Sequence, residues 1–184
     1  MKNLLIVLSG PSGVGKGTVV NRLMARGGFA LSVSCTTREP RDGEVDGVAY
    51  HFISREKFLE TVEKGGFLEY DCHFENYYGT PREYVVRELE KRNVLLEIDV
   101  DGALQVKKSY PGAILIMLTP PSVEELRARL AGRGTESPEK IEERIRRMEY
   151  ELSKKHLYDY VLVNDELEKC VKDVLNIIEK EGKK

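Results

Sequence analysis

The stretch Gly10-Pro11-Ser12-Gly13-Val14-Gly15-Lys16 constrains this chain more than any other. It follows Leu4-Leu5-Ile6-Val7-Leu8, a continuous apolar run that reads as a strand buried on both faces. Val19, Val20, Leu23 and Met24 then recur at helical spacing until Gly27-Gly28 ends the pattern. Strand, glycine loop and helix in that order are the context a phosphate-binding loop requires. Glycines let successive backbone N–H groups turn inward on an anion, and the helix N-terminus adds its positive end. Lys16 supplies a mobile charge for the β- and γ-phosphates of a nucleotide. The hydroxyl residue that usually follows this lysine is replaced by Gly17, with Thr18 one position later. A magnesium ion at such a loop would be held mainly by nucleotide oxygens and water.

The same grammar returns downstream. Val94 to Ile98, Ala113 to Leu118 and Tyr160 to Val163 read as strands. Between and after them, Ser122 with Glu125, Ser137-Pro138, and Asp165 with Glu168 mark helix starts. Strands alternating with helices predict a parallel sheet covered on both faces. A length of 184 residues suits one domain with insertions. The 29 Lys and Arg against 31 Asp and Glu leave a net charge of −2, which argues against a general nucleic-acid or membrane-surface binder. Leu4 to Leu8 is too short to span a bilayer or to serve as a secretory leader. Cys35, Cys72 and Cys170 form no zinc pattern and suit a reducing cytoplasm. His51, His73 and His156 are isolated and read as structural or surface residues.

Two stretches break the alternation. Residues 34–88 carry many aromatic side chains, short alternating segments and glycine turns, predicting a small, mostly β insertion with one helix near Glu56 to Lys64. Within it, Arg38 and Arg41 flank Pro40, and two planar guanidinium forks suit a terminal phosphate. The hydroxyls of Tyr50 and Tyr78 would add donors to the same anion. Glu69, among aromatics, has the acceptor pattern for the N1–H and exocyclic amine of guanine and would reject adenine. Taken singly, the arginines also read as solvated charges and the tyrosines as core rings. Thr80-Pro81-Arg82-Glu83 is also a capping box that needs no ligand. The second stretch, about 127–148, holds six arginines, at 127, 129, 133, 144, 146 and 147, and predicts a helical lid.

Together these residues resemble the guanylate kinase family over essentially the whole chain. The marks are GPSGVGKGT (10–18), SVSCTTREPRDGEVDGVAYHF (32–52), FLEY (67–70), NYYGT (76–80), EIDVDG (97–102), GRGTES (132–137) and VND (163–165). The resemblance implies a P-loop α/β fold with a five-stranded parallel sheet. Its core would be residues 1–33, 89–126 and 149–184, with a GMP-binding insertion at 34–88 and a lid at 127–148. It implies transfer of a phosphoryl group from ATP to GMP or dGMP with Mg²⁺, in the cytoplasm. ATP would lie against Gly10, Pro11, Ser12, Gly13, Val14, Gly15, Lys16, Gly17 and Thr18, with Asn164 near the adenine. GMP would meet Ser34, Arg38, Arg41, Tyr50, Glu69, Tyr78, Thr80 and Asp99. Lys16, Arg38, Arg133 and Arg144 would stabilise the transferring phosphoryl group. Glu97 stands where an aspartate is also found in the family. Two rival readings are a kinase for another nucleoside monophosphate and a peptide-binding module of the same fold. The intact loop and Lys16 argue against the second.

Overall fold

The computed structural model describes residues 2–73, 75–132 and 137–184; Arg133 lies outside them. The chain opens with strand β1 (Leu5–Ser9), helix α1 (Lys16–Ala25) and strand β2 (Phe29–Leu31). The insertion follows as β3 (Cys35–Thr36), β4 (His51–Phe52), α2 (Arg55–Glu63), β5 (Phe67–His73) and β6 (Asn76–Pro81). The chain returns through α3 (Arg82–Leu89), β7 (Asn93–Glu97), α4 (Val100–Ser109) and β8 (Ile114–Thr119). It ends with α5 (Val123–Gly132), α6 (Pro138–Ser153), β9 (Tyr160–Val163) and α7 (Leu167–Gly182).

The main sheet is parallel with strand order β2-β7-β1-β8-β9. Every residue of β1 is buried, as its unbroken apolar run predicts. Successive side chains of a strand point to opposite faces, so β1 feeds two cores. Ile6 and Leu8 pack with Val19, Val20 and Leu23 of α1 and Val171, Val174 and Ile178 of α7. Leu5 and Val7 pack with Val85 of α3 and Val100, Ala103 and Val106 of α4. Each such Val, Leu or Ile side chain stabilises the fold by about 1.5–3 kcal/mol on burial. Leu126, Leu130, Ile141, Ile145 and Met148 form a separate small core between α5 and α6. The α5–α6 pair thus has an apolar seam of its own.

The second sheet has the order β4-β3-β6-β5. Phe58 of α2 anchors it: it is fully buried, stacked on Phe67 at 4.4 Å and on Tyr77 at 5.3 Å. A Cβ on Gly79 would stand 3.0 Å from both Phe58 and Phe67, so any side chain there would press on the stacked rings.

Several sequence expectations change. The fifth strand of the main sheet, β2, is only three residues long, too short for a periodicity to reveal. The expected Asp165–Glu168 capping box is absent: α7 begins at Leu167 after Glu166, with no side-chain cap. Tertiary anchoring replaces it, since Asn164 N–H donates to Thr119 O at 2.8 Å and holds the chain just before the helix. Thr80 is not a cap either. It lies in β6, the N-cap of α3 is Pro81, and the Thr80 hydroxyl donates to Glu69. The caps at Ser122 and Ser137 form as expected, accepting from Glu125 N and Lys140 N. Among the described residues, no helix is long and apolar enough to cross a membrane.

Candidate active site

Parallel α/β sheets present their sites at the carboxyl ends of the strands. The glycine loop leaves β1 at that edge and is tightly packed from behind. A Cβ on Gly10, whose φ is +139°, would stand 2.1 Å from Leu118 O, so only glycine lets the loop pass β8. Gly15, at φ +95°, is the N-cap of α1 and supplies no side-chain cap, which leaves the first helical N–H groups facing the loop. The Asn164 amide donates to Val14 O at 2.8 Å and is buried beneath the loop. Lys16 folds back over it, donating to Gly10 O at 2.6 Å and Pro11 O at 3.1 Å.

On one side of the loop a cavity of about 300 Å³ is lined by Gly13, Gly15, Thr18, Arg129, Asn164 and Asp165. Arg129 is held there by Glu125 at 2.9 Å and by Asn164 O at 3.1 Å. On the other side lies a larger cleft of about 690 Å³. It gathers Lys16 from the loop, Ser34, Arg41, Tyr50, Glu69 and Tyr78 from the insertion, Glu97 and Asp99 from the end of β7, and Arg144 from α6. The elements involved are far apart in sequence and meet only through the fold.

Two expected cleft residues take another place. Thr80 sits behind Glu69, 1% exposed, with its hydroxyl 2.6 Å from Glu69 Oε1. Arg38 does not line the cleft: both arms of its fork donate to Glu44, at 2.7 Å each. Its guanidinium lies over the rings of Tyr50 and Phe52, at 5.1 and 5.6 Å. The hydrogen bonds from Arg38 hold the Glu44 carboxyl down to about 2, and the same contact raises Arg38 above its ordinary value. Glu44 also accepts from Arg41 N–H at 2.8 Å, which ties the two arginines together. In the sequence Glu44 is one of several acids in the 32–52 stretch, with nothing local to pair it with Arg38.

Glu69 is 7% exposed. Burial, with a smaller push from the nearby Asp99 charge, raises its carboxyl to about 7, against the opposing hydrogen bond from Thr80. Asp99 caps α4, accepting from Gly102 N–H at 2.8 Å. Gly102 separates the two carboxylates: a Cβ there would lie 3.0 Å from Glu69 and 3.2 Å from Asp99. From α6, Arg144 donates to Ser12 Oγ in the glycine loop.

The donor set for a metal is spare. Among the described residues no three His, Cys, Asp or Glu side chains gather into a cage. Opposite Gly17, however, the Glu97 carboxylate stands 3.4 Å from where a Cβ would sit. That is the space left by the missing hydroxyl residue, and a carboxylate facing it suits a hydrated magnesium ion carried by a nucleotide. Burial raises the Glu97 carboxyl and Lys16 lowers it.

The whole-chain comparison decides the family. The family model described as guanylate kinase matches residues 2–181. The chain belongs to the guanylate kinase family. It is 50% identical over 185 aligned positions to the guanylate kinases of two strains of Thermus thermophilus. The match covers the whole chain and 84% and 83% of those proteins. The crystal structure of guanylate kinase from Anaplasma phagocytophilum superposes with a TM-score of 0.77 at 34% identity, covering 97% of this chain and 86% of that one. A gluconokinase from Sinorhizobium meliloti 1021 gives a TM-score of 0.52 at 15% identity, covering 97% and 93%, and shares the fold alone. The chain is thus an α/β kinase of the P-loop type, a nucleotide-binding transferase.

Proposed function

We propose that this guanylate kinase transfers the γ-phosphoryl group of ATP to the phosphate of GMP or dGMP, giving ADP and the guanosine diphosphate. The observation that carries the reading is the cleft in which the loop lysine Lys16, the lid arginine Arg144 and the acids Glu69 and Asp99 converge. Glu69 accepts from the Watson–Crick edge of guanine, with Ser34 and Asp99 completing the base contacts. Adenine, with an acceptor at N1, would leave Glu69 buried and unpaired by the base. Arg41, Tyr50 and Tyr78 hold the GMP phosphate, and Arg38 joins them by sharing its fork with that anion or leaving Glu44. Gly10 to Thr18 cradle the ATP phosphates, and the smaller cavity by Arg129 and Asn164 takes the nucleoside end.

In the transfer a GMP phosphate oxygen forms a bond to the γ-phosphorus while the bond to the β–γ bridging oxygen breaks. The attacking oxygen is already anionic, so no strong general base is needed. The work left to the chain is alignment and positive charge. Lys16 and Arg144 supply that charge from opposite sides; Arg133, expected to act with them, lies outside the described residues. Magnesium, when bound with ATP, neutralises phosphate charge; Glu97 and Thr18 are the side chains beside Gly17 suited to face its water shell. Movement of the 34–88 and 127–148 segments toward each other would exclude water and protect ATP from hydrolysis.

A coupled assay with ATP, Mg²⁺ and GMP, dGMP or AMP in parallel tests the reading. Turnover with both guanine nucleotides and little with AMP is expected. Equal turnover with AMP would remove Glu69 from base selection.

A further inference from the structure

Helix α6 reaches the base end of the cleft as well as its phosphate end. Arg144 touches the glycine loop through Ser12. One turn on, Arg147 Nη2 donates to Asp99 Oδ2 at 3.3 Å. The other edge of that guanidinium is also held: Nε donates to Glu151 Oε1 at 3.2 Å, and Glu151 is itself buried. Asp99 Oδ1 is taken by Gly102 N–H. The Asp99 carboxylate is therefore gripped between its own helix and the lid helix. Residues three and four apart share one helix face, so Arg144, Arg147 and Glu151 form a single edge of α6. The apolar residues Ile141, Ile145 and Met148 meanwhile face α5. Arg147 is not among the side chains that line the cleft; it meets the cleft through Asp99, which does.

We propose that Arg147 is a positioning residue for guanine recognition, setting the Asp99 carboxylate and coupling the seating of α6 to the base site. The inference rests on the reading of the cleft as a GMP site and adds to it the route by which the lid meets the base. An exposed arginine–carboxylate pair contributes little to stability. Its consequence here is orientation: a fixed Asp99 leaves the space beside Glu69 shaped for a base with two donors. Because Arg144 and Arg147 are one turn apart on a rigid helix, displacement of one contact displaces the other.

The test is steady-state kinetics of Arg147→Met and Arg147→Lys, with melting temperatures measured alongside. Methionine keeps helix propensity and stem packing while removing the charge. KM for GMP is expected to rise about threefold to tenfold in Arg147→Met, with kcat and KM for ATP within about twofold. Lysine, a point charge without the fork, should fall between. In an Asp99→Asn background, Arg147→Met should add less than about twofold, since the group it positions has been altered. Independent, multiplying effects would overturn the proposal. So would an unchanged KM for GMP, or equal losses in both KM values and in kcat with a lowered melting temperature. Should Arg147→Met fail to fold, the lysine variant alone decides by the same criteria. If wild-type protein does not turn over GMP, the functional reading fails first; if it does and Arg147→Met is silent, only this inference fails.

Discussion

The glycine loop and the insertion cleft, both proposed to hold phosphate, are built in opposite ways. The loop is local: nine consecutive residues make the cradle, and its charge, Lys16, is already folded over it. Its support from Leu118 and Asn164 only limits which side chains the loop can carry. The cleft is assembled from strands and loops of the second sheet, the end of β7 and helix α6. Its acids are engaged by side chains set behind or beside it, Glu69 by Thr80 and Asp99 by Arg147, and Arg38 next to it is engaged by Glu44. A cradle of backbone dipoles costs little reorganisation when its ligand arrives. A pocket of paired side chains must exchange partners, and that exchange is where selectivity enters.

The contrast can be broken from the loop side first. Lys16→Ala removes its mobile charge and should lower kcat on the order of 10³-fold or more. The melting temperature should change little, since the hydrogen bonds of Lys16 to Gly10 and Pro11 are to carbonyls of the loop itself; an active variant would refute the assignment. Arg144→Ala removes the group that spans the two regions. It should depress kcat on the order of 10²-fold while leaving both KM values nearly unchanged. A pure KM effect would make Arg144 a ground-state phosphate holder.

Smaller effects are expected in the cleft. Glu69→Gln exchanges one acceptor for a donor and should raise KM for GMP about 10- to 100-fold, with KM for ATP unaffected. The pH dependence sharpens the same point. Burial pushes the carboxyl of the folded, unliganded protein up to about 7, above its ordinary 4.5, and in the proposed binding mode guanine would prefer the ionised form. KM for GMP should therefore rise severalfold as pH falls from 8 to about 6. Glu69→Gln should flatten the part of that rise not due to the GMP phosphate, and a parallel slope in both proteins would sink the assignment. The stability sign is the reverse of a paired acid. A raised folded value means ionisation opposes folding, with no cost below 4.5 and the full cost above about 7. Glu69→Gln should thus raise the melting temperature of the unliganded protein at about pH 8 and leave it nearly unchanged at about pH 4.

What could be read from the chain divides along the same line. Leu4 to Lys16 announces strand, loop and anion site because backbone geometry and burial are encoded by neighbours. The buried strands read at Val94 to Ile98 and Ala113 to Leu118 lie within one residue of β7 and β8 for the same reason. The three-residue β2 was not legible, since it holds its place by pairing with β7. Thr80 shows the limit most clearly. Its local pattern is that of a helix cap, in which the hydroxyl would accept from a backbone N–H, but a hydroxyl goes to whichever partner the fold places nearest. The fold brought Glu69 from the neighbouring strand within 2.6 Å, and the buried acid took the hydroxyl.

Glu44 and Arg147 were visible only as charges. On an isolated turn or helix each would be a solvated ion of little consequence. Sequence by itself thus determined the fold class, the glycine loop and the kinds of side chain available for binding two anions and a purine. Tertiary structure alone decided which of those side chains face the cleft, which stand behind it and which hold one another. Backbone cradles follow from contiguous residues, whereas the ionisation and direction of a buried side chain depend on whatever distant group is packed against it.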